Sequence, residues 1–340
     1  MTKFIPNLKA LADPRLMARR IFQLVAEELA LVETEFARQA RSNVQVISYL
    51  GDYLRESGGK RVRPALLILA NYAAGGAGKS EAVIRLATVM ECLHTATLVH
   101  DDIIDNAETR RNRASVNARF GNQTAVLMGD WLYMSAFETS LSERSWPILD
   151  ILTSVTRKMT EGELMQLTLI GRTDITAAQY FEVLRRKTAY LFSACCEIGA
   201  IAAGADEATR ANFREYGLQL GTAFQLIDDL LDCTVTDDAL GKAAGADLLE
   251  GKLTLPLIYL LEADETWRER LQTIMWDGSY ARAPRGELLA AAERAGGPEK
   301  TKLRAQAAAN AAREALAQLP RTVYQEALAE LPAYILERGY

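Results

Sequence analysis

The chain has 340 residues, 49% of them apolar, with a net charge of −5 and a pI of about 5.4. That length allows one large domain or two ordinary ones. The acidic balance speaks against a general nucleic-acid binder, which carries a basic excess, while leaving local basic clusters able to hold anionic ligands.

The N-terminal stretch MTKFIPNLKALADPRLMARR has no continuous apolar core and carries Asp13 and Pro14, so it does not read as a secretory signal. No segment reaches the roughly 18 apolar residues of a membrane span. The longest candidate, residues 65–77, is interrupted by Asn71, Gly75 and Gly76. Four cysteines, Cys92, Cys195, Cys196 and Cys233, form no CxxC pair and predict buried thiols rather than a disulfide framework. The expectation is a cytoplasmic protein with no membrane span.

Helix formers dominate, and period-two alternation of β-branched residues is nearly absent, which predicts an all-α fold. Glycine and proline mark breaks at Gly58-Gly59, residues 75–78, Gly121, Pro147, Gly171, Gly204, residues 241–251, 278–286 and 296–298. Between them, residues 81–104 are apolar on most sides and should form a central helix. Residues 176–203 and 208–232 are of the same kind, and the Ala-rich 300–319 suits a peripheral helix. With no low-complexity linker, a single domain over residues 1–340 is expected.

Two acidic clusters end apolar helical stretches. The first is His100-Asp101-Asp102-Ile103-Ile104-Asp105, and the second runs from Gln225 through Asp228-Asp229 to Asp232. Residues i and i+4 share a helix face, so Asp101 projects with Asp105 and Asp228 with Asp232. Carboxylates so placed need neutralising. Mg²⁺ suits them, because it takes carboxylate oxygens and shares the rest of its shell with water and phosphates. One such cluster would read as a solvated helix end; two in apolar surroundings do not. A di-iron centre needs Glu-x-x-His twice, and Glu91-Cys92-Leu93-His94 supplies it once.

Basic residues accompany the acids. Lys60, Arg61 and Arg63 follow the Gly58-Gly59 pair, and Arg110-Arg111 follows the first cluster. Lys187-Thr188 lies in a helical stretch, and Lys242 and Lys252 flank the Gly-rich segment after the second cluster. Arg binds phosphate as a planar fork and Lys as a point charge. The set suits two diphosphates, one chelated through Mg²⁺ and one held by Arg and Lys alone. GGKRVRP lacks the spacing of a P-loop.

At these residues the chain resembles the trans-isoprenyl (polyprenyl) diphosphate synthases. The matching segments are GGKRVRP (58–64), ECLHTATLVHDDIID (91–105), ETRRNRASVNARFGN (108–122), RRKTAYLF (185–192), GTAFQLIDDLLD (221–232) and LGKAAGADLLEGKLTLP (240–256). They run across most of the chain, and the octaprenyl type is the nearest likeness. The resemblance implies an isoprenoid-synthase-type helical bundle around a deep central pocket, a homodimer, and isopentenyl diphosphate and an allylic diphosphate as substrates. Carried over by position, Asp101, Asp105 and Asp228 would bind Mg²⁺, supported by Asp102 and Asp232. Lys60, Arg63, His94 and Arg111 would hold isopentenyl diphosphate. Arg110, Lys187, Thr188, Gln225, Lys242 and Lys252 would hold the allylic diphosphate. Asn112, where relatives often have Gly, is a departure.

The implied chemistry is ionisation of the allylic C–O bond, attack of the isopentenyl double bond on the cation and loss of a proton, with the departing diphosphate stabilised by Mg²⁺, Arg and Lys. Product length should follow pocket depth. The fifth and fourth residues before Asp101 are Ala96 and Thr97, both small, which predicts an open pocket and a long product for quinone side chains. The helix containing Trp131, Tyr133 and Phe137 is the expected floor. A short-chain farnesyl or geranylgeranyl synthase is the rival reading. A non-catalytic partner subunit or a terpene cyclase fits less well with the full set of acidic and basic residues.

Overall fold

A computed structural model of the chain describes residues 14–111, 113–234 and 245–337. Among them, helices account for nearly all regular structure, as the composition predicts. Backbone contacts divide the chain into two compact units, neither of which is a continuous stretch of sequence.

The first unit comprises Met1–Thr156, Phe192–Arg214 and Leu316–Leu331. Its helices begin with α1 (Pro14–Gln23), α2 (Ala26–Gln39), α3 (Gln45–Glu56), α4 (Val62–Ala73) and α5 (Glu81–Ile104). A two-stranded hairpin follows, β1 (Thr109–Arg110) and β2 (Arg113–Ala114), antiparallel with Arg110 opposite Arg113. Then come α6 (Val116–Phe120), α7 (Asn122–Ser142) and α8 (Trp146–Leu169), the last continuing beyond the unit. The unit also takes in most of α10 (Tyr190–Ala202), the start of α11 (Glu207–Thr234) and part of the final helix, Val323–Glu337.

The organising element is α5. Ser80 starts it, its side chain accepting the Val83 amide, and Glu81 places an acid in the first turn, where the helix dipole favours one. Thirteen of its 24 residues are buried, and it packs against α7, α4 and α2. By length and mean hydropathy (1.4) α5 could cross a membrane, although 72% of that window is buried in protein. Single polar residues interrupt it, so it contains no unbroken apolar run of that length. A bundle's central helix passes the same test. Gly199 on α10 lets that helix approach α4 so closely that a Cβ there would sit 2.3 Å from the Leu67 carbonyl. The buried Asn71 amide spans the same crossing, donating to the Gly199 carbonyl at 3.0 Å.

The second unit comprises Arg157–Leu191, Glu215–Ala315 and Pro332–Tyr340. It contains α9 (Ala177–Leu184), which opens on a Thr176/Gln179 capping box. A single π-helical turn, Arg185–Ala189, joins α9 to α10. Most of α11 follows, then α12 (Ala246–Leu249), α13 (Leu255–Ala263), α14 (Arg268–Asp277), α15 (Arg285–Arg294) and α16 (Gly297–Leu316); Val323–Glu337 is α17. Seven of the nine residues of α13 are buried. On α16 Thr301, Ala305, Ala308, Ala309, Ala312 and Leu316 are buried on one side at helical spacing while most of its charged residues meet solvent. That is the peripheral helix expected from its composition. All four cysteines are buried and free, and burial pushes the Cys195 and Cys233 thiols up to about 12.

Candidate active site

The GGKRVRP segment folds around Arg61, which caps α4 in the left-handed region at φ 48°. A non-glycine residue there is strained by about 1–2 kcal/mol. The surroundings over-determine it: Glu33 and Glu91 both grip the guanidinium, Glu91 at 2.6 Å, and the Arg61 and Glu91 side chains are only 9% and 4% exposed. With Arg61 locked, Lys60 lies at the surface and Arg63 lies in the first turn of α4. The Arg63 guanidinium rests over the Phe192 ring at 5.2 Å, and its Nε is buried without a hydrogen-bond partner among the described residues.

Arg111 joins this cluster. It too is left-handed, at φ 54°, and it packs on Gly59, where an added Cβ would come within 2.6 Å of its Nη1. Burial weakens the hold of Arg63 on its proton, the Arg111 charge adding and Glu91 opposing; Arg111, although exposed, is shifted the same way by the protein around it and by the Arg61 and Arg110 charges. His94, on α5, retains some accessible surface. Even so, the protein packed around it holds its imidazole well below the ordinary range, helped by the charges of Arg63, Arg111, Arg110 and Arg61. Glu33 and Glu91 answer Arg61 and Asp102 answers Arg110, so the neutral histidine stands beside Arg63 and Arg111 in a site short of negative charge. A phosphate or diphosphate supplies it.

The first acidic cluster closes α5. Asp105 is the C-cap, its amide donating to the Asp101 carbonyl at 2.8 Å. Asp101 and Asp105 are half-buried; Asp102 is buried and accepts from Arg110 Nε at 2.6 Å. Burial raises the Asp102 carboxyl and Arg110 opposes the rise. No basic residue occupies the last turn of α5, so these carboxylates meet the negative end of the helix dipole. That is the electrostatic setting of a cation site. Upstream, Thr97 is half-buried and its hydroxyl donates to the His94 carbonyl at 2.7 Å. Ala96 is fully enclosed, in a cluster with Leu50, Tyr53, Val99, Met128 and Leu132. Its small side chain matches tight packing here, where the sequence reading placed open pocket.

In the second unit α11 ends on the other cluster. Asp228 is exposed, while Asp229 and Asp232 are buried. Again no basic residue stands in the last turn. Asp229 accepts from the Tyr180 hydroxyl at 2.5 Å and from Gln225 Nε2 at 2.7 Å; Gln225 in turn accepts from the Thr188 hydroxyl at 2.8 Å. Burial pushes the Asp229 carboxyl up to about 6, the charges of Asp228 and Asp232 add, and the two hydrogen bonds oppose. Asp232 ties down the next segment, its carbonyl accepting the Gly245 amide at 2.8 Å and its carboxylate the Asp247 amide at 3.2 Å.

Lys187 and Thr188 sit on the π turn, a feature frequent at functional sites. The extra residue in that turn lets Thr188 reach α11 while Lys187 reaches α8, bonding Gln166 at 2.7 Å and Glu163 at 2.8 Å. Lys252 pairs with Glu250 at 2.7 Å. Lys242 lies outside the described residues. Sequence reasoning missed Glu33, Phe192, Tyr180, Glu163 and Gln166, all partners distant in sequence from the motifs they serve. Glu91 had a signal, an acid inside an otherwise apolar helix. Among the described residues no three His, Cys, Asp or Glu side chains form a metal cage. A cation here would draw most of its shell from water and a ligand's oxygens, which is the habit of Mg²⁺.

Aspartates at two helix ends and a guanidinium cluster, carried on an all-α chain, are side chains of the kind that suit phosphorylated ligands and a divalent cation. Residues 44–285 match the polyprenyl synthetase family model, and the chain belongs to that family. It is 38% identical over 306 residues to the octaprenyl diphosphate synthase of Escherichia coli (strain K12), covering 90% of this chain and 94% of that protein. The fold is similar to a crystal structure of a decaprenyl diphosphate synthase from Rhodobacter capsulatus, with TM-score 0.89, 34% identity, and 95% and 99% of the two chains covered. It is also similar to a polyprenyl synthase from Caulobacter crescentus CB15 complexed with calcium and isoprenyl diphosphate, with TM-score 0.88, 34% identity, and 95% and 98% covered.

Proposed function

We propose that the protein is a long-chain trans-polyprenyl diphosphate synthase, of octaprenyl type, that adds isopentenyl diphosphate to an allylic diphosphate for quinone side chains. The observation that carries the reading is the anion-seeking cluster of Arg63, Arg111 and neutral His94 in the same unit as the carboxylate-bearing end of α5. Lys60, Arg63, His94 and Arg111 hold the isopentenyl diphosphate. Arg110, Lys187, Thr188, Gln225, Lys242 and Lys252 hold the allylic diphosphate. Asp101, Asp105 and Asp228 hold Mg²⁺, with Asp102 and Asp232 in support. The family match spans residues of both compact units, which supports treating residues 1–340 as one catalytic domain.

Bound Mg²⁺ would neutralise charge developing on the leaving diphosphate. The chain's own groups do the rest. Lys187 and Thr188 orient the allylic diphosphate, and the C–O bond breaks with both electrons leaving on the diphosphate oxygen. The isopentenyl π electrons form the new C–C bond to the allylic cation, and the released diphosphate takes the proton that restores a double bond. Neutral His94 acts as a hydrogen-bond donor and does not serve as the base.

A homodimer is supported by α7, where Leu127, Met134 and Leu141 are 68%, 62% and 50% exposed at seven-residue spacing, an apolar stripe on one helix face. The burial of α5 supports a chain with no membrane span. The test is incorporation of labelled isopentenyl diphosphate into an allylic primer. Asp101→Asn and Asp228→Asn should each abolish it without unfolding the protein, and wild-type rates in either would overturn the assignment of that residue.

A further inference from the structure

The end of α5 and the hairpin after it are joined by a set of side-chain hydrogen bonds. The Asp102 carbonyl accepts the Ala107 amide at 2.8 Å and the side-chain Nδ2 of Asn117 at 3.1 Å. The Ala107 carbonyl accepts the same Nδ2 at 3.2 Å and the Ser115 hydroxyl at 2.6 Å. Ser115 also caps α6, accepting the Ala118 amide at 3.3 Å, and so fixes the turn that carries Asn117. The return strand is held from α3, where the Tyr53 hydroxyl donates to the Ala114 carbonyl at 2.6 Å. The Tyr53 ring in turn faces the Arg113 and Arg119 guanidiniums at 4.6 and 4.8 Å. On the outgoing strand Arg110 reaches back to the Asp102 carboxylate.

Asn117 does what few side chains can. Its amide nitrogen carries two protons and spends them on two carbonyls of different turns, which a hydroxyl or a carboxylate of similar length cannot do. Its Oδ1 is buried and has no hydrogen-bond partner among the described residues. A buried acceptor left so lowers stability.

We propose that Asn117 is a positioning residue for the reaction: it locks the aspartate-bearing end of α5 in one spacing relative to the Arg110-Arg111 pair. The inference rests on the proposed function. Partners behind metal-binding groups are typically worth about 10–100-fold in activity, and misplacement of about 1 Å costs on the order of 10²-fold.

The test uses full-length Asn117→Leu, which keeps the size and removes both donors without adding charge, beside Asn117→Asp. Both should keep wild-type helical circular dichroism, lose about 10–100-fold in kcat, and bind inorganic pyrophosphate with Mg²⁺ about tenfold or more weakly by calorimetry. Wild-type kcat and pyrophosphate affinity in Asn117→Leu would overturn the proposal. So would a loss confined to Asn117→Asp, which would trace the effect to charge. Tyr53→Phe removes one hydroxyl from the far side of the brace and keeps the ring. If the Asn117 variants fail to fold, a several-fold fall in kcat in Tyr53→Phe at unchanged Tm supports the brace, and an unchanged kcat refutes it. Pyrophosphate binding needs no turnover. A wild-type protein that makes no polyprenyl product sinks the functional reading, while weaker pyrophosphate binding in Asn117→Leu still upholds the brace.

Discussion

His94 stands where burial and four guanidinium groups oppose its charge. Unfolded, a histidine takes a proton near pH 6.5; folded, this one takes it only at lower pH. The unfolded state therefore binds the extra proton between the two values. The contribution of His94 to stability is full above about pH 6.5 and falls below it, by up to about 1.4 kcal/mol per pH unit. Urea unfolding at roughly pH 7.5 and pH 5.5 should show this loss in the wild type and a smaller one in His94→Gln. Equal losses would place the titration elsewhere. Arg61→Met should leave Glu91 enclosed without its partner, at about 3–5 kcal/mol in denaturant unfolding. The sequence displayed Arg61 as one of three adjacent cations, indistinguishable from Lys60 and Arg63. Its structural task depends on Glu33 and Glu91, 28 and 30 residues away, and local pattern carries no information about such pairings. The diphosphate role proposed for Arg63 came from the resemblance of GGKRVRP to the family's motif, because basic residues beside a glycine pair read equally as solvated surface charge.

At the scale of elements, the helices were legible because apolar periodicity and glycine breaks bound them. The acidic clusters fell at the ends of α5 and α11, as the motif spacing implies. The hairpin after α5 was not legible: two residues per strand give no alternation to read. Nor was the π turn at Arg185–Ala189, since one extra residue in a continuous helix leaves the apolar pattern nearly intact. The pair before Asp101 illustrates the difference between residue size and surroundings. Ala96→Phe inserts a ring into a closed cluster and should destabilise by about 1–3 kcal/mol through overpacking. Thr97→Phe changes a half-buried position on the same helix and should shorten the product with little loss of stability. Chain-length analysis beside thermal unfolding separates the two. An unchanged product from a folded Thr97→Phe protein would remove Thr97 as a limit on length.

For the whole molecule, the exposed stripe on α7 bears on assembly. Leu127→Glu with Met134→Glu places two carboxylates in an apolar contact and should convert a dimer to a monomer in sedimentation equilibrium. A sedimentation profile that does not change would put the subunit contact elsewhere. The enzymatic reading joins the guanidinium cluster, the aspartates of α5 and α11 and the family match in one claim: Mg²⁺-dependent, repeated addition of isopentenyl units. Its most direct test is a product assay with purified protein, Mg²⁺, farnesyl diphosphate and radiolabelled isopentenyl diphosphate, the dephosphorylated products being resolved by length. A ladder ending near octaprenyl length, abolished by a chelator, is the predicted result. A stop at farnesyl or geranylgeranyl length would contradict the long-chain assignment, and no incorporation by folded protein would contradict the catalytic one.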